Sequence, residues 1–171
     1  MSLTLWLTLA ACFVASYCDV RTRRIPNLLT GSLAAAALIV HAAGGLRAMG
    51  VSLAVMAALT VAGTLVYSRG GIGGGDVKLA IAGSGMLSYP LCVPFLIYTA
   101  FAGGALALIF LAARGRARAT LSRLFLATFA GAPGILPDKR ETLPYAVAFA
   151  IGAIVLALSQ SVAPFLRITL L

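Results

Sequence analysis

The sequence predicts an all-α membrane protein, a polytopic bundle of about six transmembrane helices forming one membrane-embedded domain over residues 1–171. Three observations predict it. Charged residues make up only 10% of the chain, against about 25% in soluble domains. Hydrophobic residues reach 61%, with a mean hydropathy of +1.05. Apolar runs also recur from end to end between charge clusters and Gly/Pro punctuation, a pattern that a cleavable leader would not produce.

A helix needs about 20 apolar residues to cross a hydrocarbon core of about 30 Å. The first candidate span, Leu3–Cys18, stops at Asp19 and Arg21. Within it, "LAAC" (Leu9 to Cys12) looks like a lipoprotein cleavage box, but no Lys or Arg precedes it, so lipidation is not expected. The second, Asn27–Ala43, follows Pro26 and carries His41, the only histidine. A packing or interface role is expected for that ring, which leaves no His-based mechanism. The third is Met49–Tyr67. The fourth, Val77–Tyr89, reaches only about 20 Å at 1.5 Å per residue. Either the bilayer thins there or the preceding glycine loop dips into it, and the dip is expected. Irregular backbone at membrane depth is tolerated where protein or a water-filled cavity surrounds it, which would shelter Asp76 in a hydrated pocket.

The fifth span is Leu91–Ala113 and the sixth Leu143–Val162. Between them, Leu124–Leu136 is too short to span and is expected to be re-entrant or interfacial.

Charge orients the bundle. Arg21, Arg23 and Arg24 follow the first span, Arg69 and Lys78 flank the third-to-fourth junction, and Arg114, Arg116, Arg118, Arg123, Lys139 and Arg140 precede the sixth. Eleven of the thirteen basic residues thus share one side, leaving Arg47 and Arg167 on the other. The positive-inside rule makes the eleven-residue side cytoplasmic and both termini extracytoplasmic. The net charge of +9 is then mostly a topology signal, and no nucleic-acid partner is expected without aromatic or polar reading surfaces beside it. Cys12, Cys18 and Cys92 form no CxxC pair and have no histidine at ligand spacing, so neither a zinc site nor a disulfide framework is expected.

Only four acids occur: Asp19, Asp76, Asp138 and Glu141. The last two lie beside Lys139 and Arg140 in "PDKRET" and suit a solvated loop. Asp19 closes the first span and Asp76 opens the fourth, both at the predicted cytoplasmic face, where helix ends can converge. An acid at a membrane edge can be no more than a boundary residue; a pair is different. Two carboxylates sharing one water cannot both ionise comfortably, so one keeps its proton. The charged one can take a proton from water as general base while the neutral one donates to a carbonyl oxygen as general acid. That would be peptide hydrolysis with neither metal nor cofactor, by a pair that titrates as a unit and leaves the acid and base roles unassigned.

Gly73, Gly74 and Gly75 precede Asp76 and suit an active-site loop, since glycine permits positive φ and lets a substrate backbone approach. A phosphate loop would need GxxxxGK[ST], and a dinucleotide fingerprint would need a glycine where Asp76 stands. Lys78 can pair with Asp76, hold lipid phosphate, or serve topology.

These segments together resemble the type IV prepilin peptidases. "GGGD" (Gly73 to Asp76) followed by "VKL" is an instance of that family's GxGD motif. "DVRTRRIPN" (Asp19 to Asn27) resembles the segment holding its first catalytic aspartate, and "LPYAVAFAIG" (Leu143 to Gly152) its last span, entered through Pro144 and Tyr145. The likeness is greatest to the short form associated with Flp (tight-adherence) pili, because the first span leads through "RTRR" straight to the second, with no cysteine-rich zinc domain between. The resemblance implies catalysis by Asp19 and Asp76, support from Lys78, Pro144 and Tyr145, and cleavage of type IV prepilin or pseudopilin leaders at the inner face of a bacterial cytoplasmic membrane. Methylation of the new N-terminus, which the long form also performs, is not expected.

Two alternatives belong to other classes. A small proton- or cation-coupled transporter would want acids near the midplane rather than at one face. A non-catalytic subunit of a pilus or secretion apparatus would not need an intact pair of motifs. A presenilin-type intramembrane protease would share GxGD but not the segment around Asp19.

Overall fold

The computed structural model describes residues 2–69, 72–113 and 145–161. These form six helices and no strand: α1 (Leu3–Thr22), α2 (Asn27–Ala43), α3 (Leu46–Ser68), α4 (Gly74–Leu87), α5 (Cys92–Ala113) and α6 (Ala146–Ser161). Three stretches, Leu3–Thr22, Leu46–Ser68 and Cys92–Phe110, are long and apolar enough to cross a membrane; α2 and α6 are shorter apolar helices. The expected segment Leu124–Leu136, together with Asp138, Glu141 and Pro144, lies outside the described residues.

Helix ends fall where backbone chemistry puts them, not where hydropathy stops. α1 runs four residues past its apolar stretch, so Asp19 sits inside the helix instead of closing it. Hydropathy ends a span at the first charge, whereas the hydrogen-bond ladder continues until the chain turns. Here it turns at Arg23, in left-handed conformation with φ 53°, whose N–H donates to Asp19 O. Pro26 then stands as the cap of α2, where a missing N–H costs nothing. Gly45 separates α2 from α3 at φ 101°, a value that suits glycine. Pro94 falls in the first turn of α5, among the amides that have no intrahelical partner.

The helices alternate in direction. Ser52, near the start of α3, donates to Gly85 O near the end of α4, while Gly63 further along α3 lies against Val77 near the α4 start. α2 runs alongside α4, with Asn27 bonded to Lys78 at one end and His41 Nε2–H donating to Met86 O at the other. α1 and α5 oppose α6: Ser16 bonds Ala146, Tyr145 packs across Gly103, and Gly152 across Thr99. Asp19, Asp76, Arg21, Arg23, Arg24, Arg69 and Lys78 therefore gather at one end of the bundle, and Arg47 lies at the other.

α4 is the hub, touching all five of the other described helices. Its residues from Ala82 to Leu87 are all buried, which is the signature of a helix enclosed on every side. Small residues allow this enclosure. Gly83 faces the Phe95 ring and Thr8, and Gly85 faces Met56, with no room for a Cβ to spare. The main core joins α4 to α1, α5 and α6 through Leu5, Cys12, Leu79, Phe95, Phe149 and Leu156. The outer surface is apolar: the span window of α3 is only 6% buried, and Phe101 is 75% exposed. A single apolar side chain left exposed is ordinary in any protein, but a helix uncovered along its length at this hydropathy suits a lipid surround.

Enclosure answers the question of the short fourth span. At 14 residues α4 is about 21 Å long. A helix sheathed in protein need not match the hydrocarbon thickness itself, because its polar ends meet protein groups rather than lipid. At its C-terminus the Gly85 and Met86 carbonyls, which lack intrahelical partners, take Ser52 and His41. His41 thus caps the end of α4 through its ring nitrogen. The three cysteines are free, with Cys12 and Cys92 buried and Cys18 half-buried.

Candidate active site

The site is assembled at the bundle end where α1 finishes and α4 and α6 begin. Ser16 and Asp19 are three residues apart in a helix, so they share one face. That face meets the first residue of α6. The Ala146 N–H donates to Asp19 Oδ2 at 3.3 Å, and the Ala146 carbonyl accepts from Ser16 Oγ at 2.8 Å. The first amides of a helix lack internal partners and carry the positive end of its dipole, so a carboxylate there is a natural companion. Asp19 supplies it from another helix and is 9% exposed.

Asp76 reaches the same place from α4, as the acid of that helix's first turn. It is half-buried and lines an apolar cleft of about 180 Å³ between α3, α4 and the start of α6, with Leu59, Gly63, Val66, Ala80, Tyr145 and Phe149 around it. Tyr145 adjoins the Ala146 that Asp19 grips. Both aspartates therefore border the start of α6, Asp19 through the Ala146 amide and Asp76 through the cleft it shares with Tyr145.

The expected glycine loop is corrected. Only Gly73 precedes the helix, as its cap with φ −67° and ψ 141°, while Gly74 and Gly75 form the first turn of α4. None of the three uses a positive φ. Their requirement is space. A Cβ on Gly73 would stand 2.8 Å from Asp76 Oδ2, one on Gly74 3.3 Å from the Tyr67 ring, and one on Gly75 3.3 Å from Ile25. Ile25 belongs to the segment that follows Asp19, so the bare Gly75 lets the two motif segments lie against each other.

Lys78 joins the same seam. Its Nζ donates to Asn27 Oδ1 at 2.8 Å, so the side chain it bonds is Asn27 and not Asp76. Tyr145 lies in the cleft, its ring accommodated by the missing side chain of Gly103 on α5. Ser16, Ile25, Asn27, Tyr67 and Gly103 were not singled out from sequence. All but Tyr67, which meets nearby Gly74, act through a contact with a distant segment, for which sequence carries no local signal. Among the described residues, no three His, Cys, Asp or Glu side chains cluster as metal ligands.

A model of the type IV leader peptidase family matches residues 6–108, a stretch that holds Asp19, Gly73 to Asp76 and Lys78. No curated protein and no solved structure matches the chain.

Proposed function

The chain belongs to the type IV leader peptidase family, and from that premise we propose that it is a membrane aspartic endopeptidase cutting the leaders of type IV, Flp-like prepilins with Asp19 and Asp76. The observation that carries this reading is the convergence of both carboxyls on the start of α6, one held by a backbone amide and one opening on an apolar cleft.

The chemistry follows from the pair. With one carboxylate charged, its neighbour keeps a proton. The carboxylate removes a proton from a water held between them as the water oxygen attacks the scissile carbonyl carbon. The protonated partner donates to the carbonyl oxygen, giving a neutral tetrahedral diol. Collapse of the diol re-forms the carbonyl, breaks the C–N bond and passes a proton to the leaving amine. The pair ends with the single proton it began with. Neither carboxyl is assigned to one role, because they titrate together.

Two further features support the reading. Five basic residues gather at the end that carries the aspartates, which favours a cytoplasmic active site by the positive-inside rule. The direct passage from α1 to α2 through Arg23 to Pro26 supports the short, non-methylating form. Substrates in this reading are membrane-anchored, so an apolar cleft beside the acid suits their hydrophobic segments.

The test is co-expression with a prepilin, following leader loss by gel shift for the parent protein, Asp19→Asn, Asp76→Asn and an Asp138→Asn control. Loss of cleavage in the first two alone, at equal protein levels, is expected. Equal cleavage by all four would reduce the aspartates to boundary residues and bring a transporter or assembly role forward.

A further inference from the structure

The bond between Ser16 and α6 is not part of the acid pair, yet it bears on where the pair sits. Serine in a helix commonly donates to its own i−4 carbonyl, and such a bond carries no message. Thr8 does this with Thr4, and Ser16 does it with Cys12 O at 2.7 Å. Ser16 differs in having a second acceptor, Ala146 O at 2.8 Å, on a helix far away in sequence. One hydroxyl proton is shared between the two carbonyls.

That acceptor belongs to the residue whose amide is bound by Asp19. Ser16 and Asp19, one turn apart on α1, therefore hold the carbonyl and the amide of a single residue. Two points of attachment fix both the position and the rotation of the α6 start against α1. The amide bond alone is long at 3.3 Å, and the hydroxyl adds a second, shorter one to the same residue. The α6 start also carries Tyr145 into the cleft that Asp76 lines. Movement there shifts the Asp19 carboxyl and the cleft wall together.

We infer that Ser16 is a positioning residue for the aspartate pair, its hydroxyl locking the start of α6 so that Asp19 is presented toward Asp76. It acts through Ala146, the residue to which its hydroxyl donates. The kinetic part of this inference rests on the peptidase reading above; the structural part does not.

The experiment compares Ser16→Ala, Ser16→Thr and the parent protein, purified in detergent, in two measurements. Steady-state cleavage of a prepilin is expected to show kcat lowered roughly tenfold in Ser16→Ala with KM little changed, the scale of a sub-ångström displacement of a reacting group. Ser16→Thr keeps a hydroxyl and should restore most of the rate. Hydrogen–deuterium exchange of the peptide spanning residues 145–149 should quicken in Ser16→Ala and return toward the parent rate in Ser16→Thr. Unchanged kcat in Ser16→Ala overturns the positioning role, and equal losses in both variants reassign the effect to packing. If the parent protein cuts no prepilin, the peptidase reading fails, while the exchange rates still decide whether the hydroxyl locks α6.

Discussion

Replacing Gly73 with alanine should separate chemistry from folding. The backbone at Gly73, φ −67° and ψ 141°, is one that alanine adopts without strain. Loss of glycine's freedom in the unfolded chain stabilises by about 0.4–1 kcal/mol. Alanine is a poorer helix cap than glycine by a similar amount, of order 0.5–1 kcal/mol, so the two nearly cancel. What remains is one contact. The new Cβ would lie 2.8 Å from Asp76 Oδ2, and reaching ordinary contact at 3.4 Å requires the carboxyl to retreat by about half an ångström. A carboxyl at the end of a side chain can turn away at little cost in stability, but it is the group proposed to do the work. Misplacement by about 1 Å costs about a hundredfold in rate, so a loss of roughly ten- to hundredfold is expected. The assay is prepilin cleavage by purified protein, with a melting curve on the same sample. Gly74→Ala is the comparison, since its Cβ meets only the edge of the Tyr67 ring at 3.3 Å, which needs to yield a few tenths of an ångström. Full activity in Gly73→Ala would refute the argument that this glycine exists to seat the Asp76 carboxyl. Loss of folded protein would show instead that it serves the fold.

Gly152→Ala should do the opposite. Its Cβ would come within 2.8 Å of the Thr99 backbone nitrogen, and backbone cannot rotate aside. A destabilisation of about 1–3 kcal/mol is expected from forcing α5 and α6 apart, visible as a lowered melting temperature. Ser52→Ala removes the buried hydroxyl that caps Gly85 O and should cost about 1–3 kcal/mol, while Ser52→Thr should keep much of the stability. For Asn27 and Lys78, a double-mutant cycle using Asn27→Ala and Lys78→Met should give a coupling of about 0.5–1.5 kcal/mol in unfolding. Strict additivity there would mean that the bond does not hold the two motif segments together.

Much of this protein was legible in its residues. Hydropathy and charge sparsity determined an all-helical membrane class, because long apolar runs can satisfy their backbone in lipid only as helices or closed barrels. The motif around Gly73 to Asp76, with the segment from Asp19 to Asn27, pointed to the family that residues 6–108 then matched. Helix ends were less legible: α1 passes beyond Cys18 and α4 takes in Gly74 and Gly75, because a ladder of hydrogen bonds does not stop where hydropathy does. What only the tertiary structure decided is why the pieces meet. Nothing local in the sequence says that Gly75 makes room for Ile25, that Lys78 reaches Asn27, or that Ser16 and Asp19 grip the first residue of α6. Composition and spacing report which surroundings each residue tolerates. The contacts that bring two aspartates to one helix end depend on how the described helices share a single crowded interior.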